Sequence, residues 1–431
     1  MMLSREDNEL MCRVGPGTAM GAALRRYWVP FLQSSDLSEP DGDPRRVELL
    51  GQTFVAFRGT DGVIGLLDEA CCHRGPSLAL GRVEGCGIRC LFHGWKFAAD
   101  GTLLETPNVS DPRFRERVRA KAYSVREAGG LIWAYIGPKD DEPPFPAWKF
   151  LDLPDAHRIT STHIYDCNYV QVTEALVDSS HLSILHSNGV AKAGDIEIDY
   201  GERVAQMGVD LAPRLEVQET DSGFRYAAIR RNDNSPDQLH TRITQFVAPY
   251  FVFNANGDIL TIMVPASDVK TLFFHVFWDE EKRIGEEPLR SAQLKFVGLD
   301  DETLAHYGVG LDTPEVERPG WHNKFMQDRV AMREGRSFTG LAGLIEEDVA
   351  VAVSSGPIRN REIENLCPAD LAVAQLYRAL LKLVRTDPPI VPTNDKDRLV
   401  RGWTTVLKAG ENWRTLASEG EIAESVAKEH A

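Results

Sequence analysis

Four side chains constrain this chain more than any others: Cys71 and His73, then Cys90 and His93. The spacing is Cys-x-His, sixteen intervening residues, then Cys-x-x-His. Each pair offers one thiolate and one imidazole, so two loop tips can grip one metal centre from opposite sides. A disulfide framework fits less well. The seven cysteines are an odd number in a chain of 431 residues, and Cys71, Cys72, Cys86 and Cys90 crowd into one short stretch.

Two occupants suit such a set. Zinc accepts Cys2His2 tetrahedra. A Rieske [2Fe–2S] centre puts two thiolates on one iron and two neutral imidazoles on the other, which raises its reduction potential. The symmetry of the pairs, and the Gly75-Pro76 and Gly85-Cys86-Gly87 turns beside them, favour the cluster. Cys72 and Cys86 are then left over, and buried small hydrophobes are expected there.

The surroundings read as two domains. From about residue 45 to 137 the chain consists of short apolar runs broken by Gly, Asp-Gly and Pro, the pattern of a small all-β domain. Lys139 to Pro146 is polar and proline-rich and resembles a linker, so the division is expected at 1–147 and 148–431. Beyond it, Tyr169 to His186 lacks Gly and Pro and reads as a helix. Phe224–Arg230 and Thr241–Val247 alternate with the period of an antiparallel strand, and Leu344–Val353 and Ala369–Val384 read as helices. The fold class is α+β, with helices flanking one sheet.

Composition narrows the partners. Lys plus Arg number 48 against 64 Asp plus Glu, a formal charge of −16, which opposes nucleic acid and anionic membranes. The acidic start, Met1 to Glu9, lacks the features of a secretory signal, and no apolar run approaches a bilayer span, so a cytoplasmic location is expected.

A second metal site is suggested downstream by Asp178-x-x-His181-x-x-x-x-His186. Five positions correspond to about 140° on an ideal helix, so one ion joins both histidines only if the helix kinks, bulges or ends between them. Two imidazoles and a carboxylate on one face of Fe(II) leave the opposite positions open, as in non-haem oxygenases. Taken alone, the two histidines also fit a packed polar interface.

The segments Cys71–Gly81 and Gly87–Phe97 resemble the Rieske signature of aromatic-ring-hydroxylating oxygenases, in particular the phthalate dioxygenase branch, and the likeness runs from about Met20 to Leu381. The resemblance implies a helix-grip catalytic domain. It implies a third iron ligand at Asp348, with Glu347 as the alternative carboxylate, and treats His157, His163, His240, His275, His306, His322 and His430 as structural or surface residues. It also implies that Asp178 links His181 to a cluster histidine of a neighbouring subunit in a homotrimer or hexamer.

Electrons would come from NADH through a separate flavin and iron–sulfur reductase, since no Gly-x-Gly-x-x-Gly follows a strand here. The implied reaction turns an aromatic acid and O2 into a cis-dihydrodiol, with monooxygenation or O-demethylation as the single-atom alternative. A Rieske electron carrier would leave the larger domain unexplained. For a substrate carboxylate, Arg230 (on one face with Phe224 and Tyr226) and Arg242 (with Phe246) are the candidates, with surface arginine as the plain alternative.

Overall fold

The computed structural model describes residues 3–192, 204, 206–208, 210–232, 235, 237–386, 400–408 and 410–417. The N-terminal part carries three small antiparallel sheets. One comprises Arg45–Leu49, Gln52–Arg58 and Ile64–Asp68, and a second Arg82–Glu84, Gly87–Arg89, Lys96–Ala98 and Leu103–Glu105. The third is formed by Trp28–Gln33, Leu131–Tyr135 and Ser124–Ala128. Two-residue turns in which both central residues take positive φ close three of these hairpins: Leu50 and Gly51 (49° and 68°), Gly85 and Cys86 (48° and 60°), and Gly129 and Gly130 (65° and 77°). This turn twists in the sense of the strands it joins.

The C-terminal part is built on an eight-stranded antiparallel sheet. Its order is Arg158–Tyr165, Lys270–Trp278, Ile259–Ser267, Phe251–Phe253, Gln238–Val247, Gly223–Arg231, Arg214–Thr220, and Trp403–Lys408 pairs further along Gln238–Val247. The expected alternation is present: Phe224, Tyr226, Ala228 and Arg230 stand opposite Phe246, Thr244, Arg242 and His240. One face of this sheet meets the helices Tyr169–Val177 and Leu344–Ser354, the segments that bring in the downstream histidines and carboxylates.

Packing ties the two parts together. Val55, Phe57, Leu67, Cys71, Ile88, Cys90, Trp95 and Phe97 form a separate core around the cysteines. The Trp28–Gln33 sheet instead shares the large core of the C-terminal part, where Trp133 touches Trp148 and Trp148 lies 4.6 Å from Phe251. The Leu50–Gly51 turn adds backbone bonds of 2.9 and 2.7 Å to Pro265 and Ala266 of the eight-stranded sheet. Among the described residues, no helix is long and apolar enough to cross a membrane.

Candidate metal centres

The two cysteine loops are near copies. Cys71 N–H donates to Pro76 O (2.9 Å) and Gly75 N–H to Cys71 O (2.8 Å); Cys90 N–H donates to Trp95 O (2.9 Å) and Gly94 N–H to Cys90 O (3.0 Å). Gly75 and Gly94, each four residues after its cysteine, take φ of 86° and 72°, a region that a Cβ disfavours. The repeat exists although the histidines sit two and three residues after their cysteines.

The four side chains converge. Cys71 and Cys90 are buried, while His73 and His93 reach the surface with ring centroids 4.6 Å apart. Trp95 stacks under His73 at 4.2 Å and donates its indole N–H to Asn108. Burial pushes the Cys71 thiol up to about 12, and Cys90 beside it adds to the rise, so two thiolates here call for a cationic centre. His93 Nδ1 is buried with no protein partner. These features fit a cluster. Cys72 and Cys86, expected inside, are both exposed: Cys72 sits on the first cysteine loop, and Cys86 in the two-residue turn between Arg82–Glu84 and Gly87–Arg89.

The second site corrects the expected helix through His186. The helix Tyr169–Val177 stops at Asp178, before either histidine, and His181–Ser183 forms a 3-10 turn. Asp178 Oδ1 accepts from the N–H and the hydroxyl of Ser180, both at 2.7 Å, which gives the backbone an alternative to helical bonds. The turn also ends between the histidines, as the five-residue spacing demanded, and brings their ring centroids to 5.3 Å.

His181, His186 and Asp348 place one ligand atom each within 4.8 Å of one another. Asp348 Oδ1 lies 3.8 Å from His181 Nε2 and 3.2 Å from His186 Nε2. Both histidines turn their other nitrogen to a carboxylate: His181 Nδ1 is 3.4 Å from Asp178, and His186 Nδ1 is 2.7 Å from Glu347. Glu347 also accepts from the Thr339 hydroxyl at 2.6 Å. Of the two carboxylates weighed for the iron, Asp348 therefore faces the imidazoles, and Glu347 holds the back of one.

The electrostatics also fit a cation. Asp348 Oδ1 is buried with no hydrogen-bond partner. Burial opposes charge on His186, but Asp348 and Glu347 outweigh it and raise that histidine to about 10. A divalent ion would take the place of that proton. His163, wholly buried close by, is held neutral by desolvation, down to about 3.

A cavity of about 130 Å³ opens on these ligands. Leu176, Leu182, Val190, Ile259, Phe277 and Ile345 supply apolar wall, and Tyr226, Arg242, Thr244, Asn254, Asn256 and His275 the polar positions. Arg242 is buried there and donates to Asn256 at 2.6 Å. Arg230 is not part of this wall: its guanidinium donates to Ser179 O, Ser179 Oγ and Asp210 O, which fixes the loop beside Asp178. His275, expected to be structural, lines the cavity with Nε2 unpartnered. The legible signal was its place in the Thr271, Phe273, His275, Phe277 stripe, one polar ring among apolar positions of one strand face. His430 lies outside the described residues.

Comparison with known proteins gives this arrangement a family. Residues 27–123 match the Rieske [2Fe-2S] domain, and residues 134–430 match the family described as LigXa C-terminal domain like. The chain belongs to the Rieske non-haem iron oxygenases, and its cofactors are a Rieske [2Fe–2S] cluster and a mononuclear iron at His181, His186 and Asp348.

Among its relatives, the phthalate 4,5-dioxygenase oxygenase subunit of Pseudomonas putida is 39% identical, covering 88% of this chain and 86% of the relative. The 3-chlorobenzoate-3,4-dioxygenase oxygenase subunit of Comamonas testosteroni is 33% identical over 96% and 98%. The crystal structure of dicamba monooxygenase bound to dicamba has a TM-score of 0.56 at 17% identity, covering 84% of this chain and 98% of that one, a likeness of fold.

Proposed function

We propose that this chain is the terminal oxygenase that adds both atoms of O2 to the ring of an aromatic carboxylate, giving a cis-dihydrodiol. One observation carries the reading: an apolar chamber of ring-accommodating size has the two-histidine, one-carboxylate set on its wall and a buried guanidinium, Arg242, on the same wall. The phthalate and chlorobenzoate names of the two relatives support an acidic aromatic substrate. The bound groups supply one-electron transfer at the cluster and reductive activation of dioxygen at the mononuclear iron.

Each residue has a task in this scheme. Cys71 and Cys90 would hold one iron of the cluster, and His73 and His93 the other, their rings at the surface where electrons arrive. His181, His186 and Asp348 would hold the mononuclear iron at the cavity wall. Asp178, 3.4 Å from His181 Nδ1, would keep that nitrogen protonated and Nε2 free for metal, and would accept from a neighbouring subunit's cluster histidine in a trimer or hexamer. Arg242 would bind the substrate carboxylate by charge-assisted hydrogen bonds. The apolar wall excludes water from the ring. Electrons would come from NADH through a separate flavin and iron–sulfur reductase, and the division of labour falls near residues 147 and 148.

Product analysis tests the reading. Phthalate isomers, phenoxybenzoates and methoxybenzoates are offered with a compatible reductase and 18O2. A dihydrodiol carrying two labelled atoms is expected. A phenol with one labelled atom, or release of formaldehyde from a methoxy group, would replace it with single-atom oxygenation.

A further inference from the structure

A second cavity adjoins the one at the iron. Asn188, Ala292, Lys295, Leu341 and Glu347 border it, and Gly189, Phe296 and Leu344 border both chambers. Those three residues are thus the partition. Its thinness has a backbone cause: a Cβ at Gly189 would lie 3.1 Å from Leu344 Cδ2, so Leu344 packs against a position without a side chain. Phe296 completes the partition from the helix Leu289–Val297.

The outer chamber has a volume of about 380 Å³, and its border residues Lys295 and Ala342 are exposed. His186, by contrast, is 3% exposed. His181 and Asp348 are about a fifth exposed, so the outer chamber is one way in from solvent, ending on the partition behind the deepest ligand. Its wall is largely aliphatic and aromatic, suited to a flat ring. Lys295 puts a cation at the rim of a chain whose formal charge is −16, where an approaching anion otherwise meets repulsion. Asp300, bound to Thr303, lies within electrostatic reach of Lys295, and the buried carboxylate of Glu347 also lines the chamber, so the attraction of Lys295 acts at the mouth.

We propose that this outer chamber is the access route by which a flat aromatic anion reaches the iron, with Gly189, Leu344 and Phe296 as its constriction and Lys295 as the steering charge at its mouth. The anionic part of the proposal rests on the aromatic-acid reading above; the route itself does not.

The test uses the iron-loaded enzyme and a probe independent of the natural substrate. 1,10-Phenanthroline, a flat neutral chelator, extracts the mononuclear iron, and absorbance of its ferrous complex gives a second-order rate constant. Ala292→Trp fills the outer chamber without bordering the inner one, and should slow extraction about tenfold or more, with Ala292→Ser unchanged. Nitric oxide, small enough for a narrowed passage, should reach the iron at the unmodified rate. Lys295→Glu should leave phenanthroline extraction unchanged but slow a bipyridine carboxylate several-fold at low salt, the difference closing as salt is raised.

Equal phenanthroline rates in Ala292→Trp and the unmodified enzyme would overturn the route. If Ala292→Trp loses the cluster spectrum, Ala342→Phe plugs the same chamber from an exposed position and decides the same question. Should no aromatic acid be turned over while the plug still slows extraction, the substrate reading falls and the route stands.

Discussion

His186 Nδ1 lies 2.7 Å from Glu347 Oε2, so the residue beside the metal-binding Asp348 grips the far side of a second ligand. Adjacent positions of one helix thus supply one carboxylate to the iron and another to an imidazole that binds it. Thr339 fixes the free oxygen of Glu347, which leaves the pair little freedom to turn.

Replacing Glu347 should therefore loosen iron without disturbing the cluster. Glu347→Ala is expected to weaken iron binding about 10- to 100-fold, while Glu347→Gln, which can still accept from His186, should lose much less. Iron content after dialysis against a weak chelator checks this, with the cluster absorbance as the control for folding. Equal retention in both variants would remove Glu347 from this role.

Arg242 gives a prediction about substrate. Arg242→Met should lower kcat/KM for an aromatic acid about 10- to 100-fold, since one or two charge-assisted hydrogen bonds are lost. The effect should appear mainly in KM, and the corresponding neutral methyl ester should be much less affected. Arg230→Met should instead reduce stability, because Ser179 and Asp210 lose the group that joins them.

Asp178→Asn should keep both metal centres and slow cluster reoxidation in a single turnover by orders of magnitude. Stopped-flow absorbance at the cluster bands reads the rate directly. Reoxidation at the unmodified rate would take Asp178 out of the electron path, and sedimentation of the same sample would show whether it still assembles.

The acid–base balance of the metal-free site has a definite sign. In that state His186 is raised from 6.5 to about 10, burial opposing the proton and Asp348 and Glu347 holding it. A raised histidine contributes stability in full below pH 6.5 and loses it as pH climbs through about 10. Iron must expel the same proton, so its apparent affinity should rise about tenfold per pH unit across this window. Melting of the metal-free chain and Fe(II) titrations on either side of neutrality check both trends. A pH-independent affinity would contradict them.

Much of this was legible in the residues, and the failures have physical causes. The cluster loops and the histidine pair stand out because metal chemistry fixes residue type and spacing. The alternation around Tyr226 and Thr244 gave the strands, because a sheet covered by helices shows period two. The helix break at Asp178 was misplaced because no Gly or Pro marks it; a side chain bonding to Ser180 does the work. Arg230 and Arg242 share one face, and periodicity reveals the face but not which guanidinium turns to Ser179 and Asp210 and which lines the cavity. Trp403–Lys408 pairs with a strand more than 150 residues away in sequence, a contact with no local signature.

The most direct test of two separate iron centres is metal and sulfide analysis of the purified protein joined to low-temperature electron paramagnetic resonance. About three irons and two acid-labile sulfides per chain are expected, with the rhombic signal of a histidine-ligated cluster after reduction. His181→Ala should bring iron to about two per chain and leave that signal intact. A colourless protein holding one zinc in place of iron and sulfide would contradict the account.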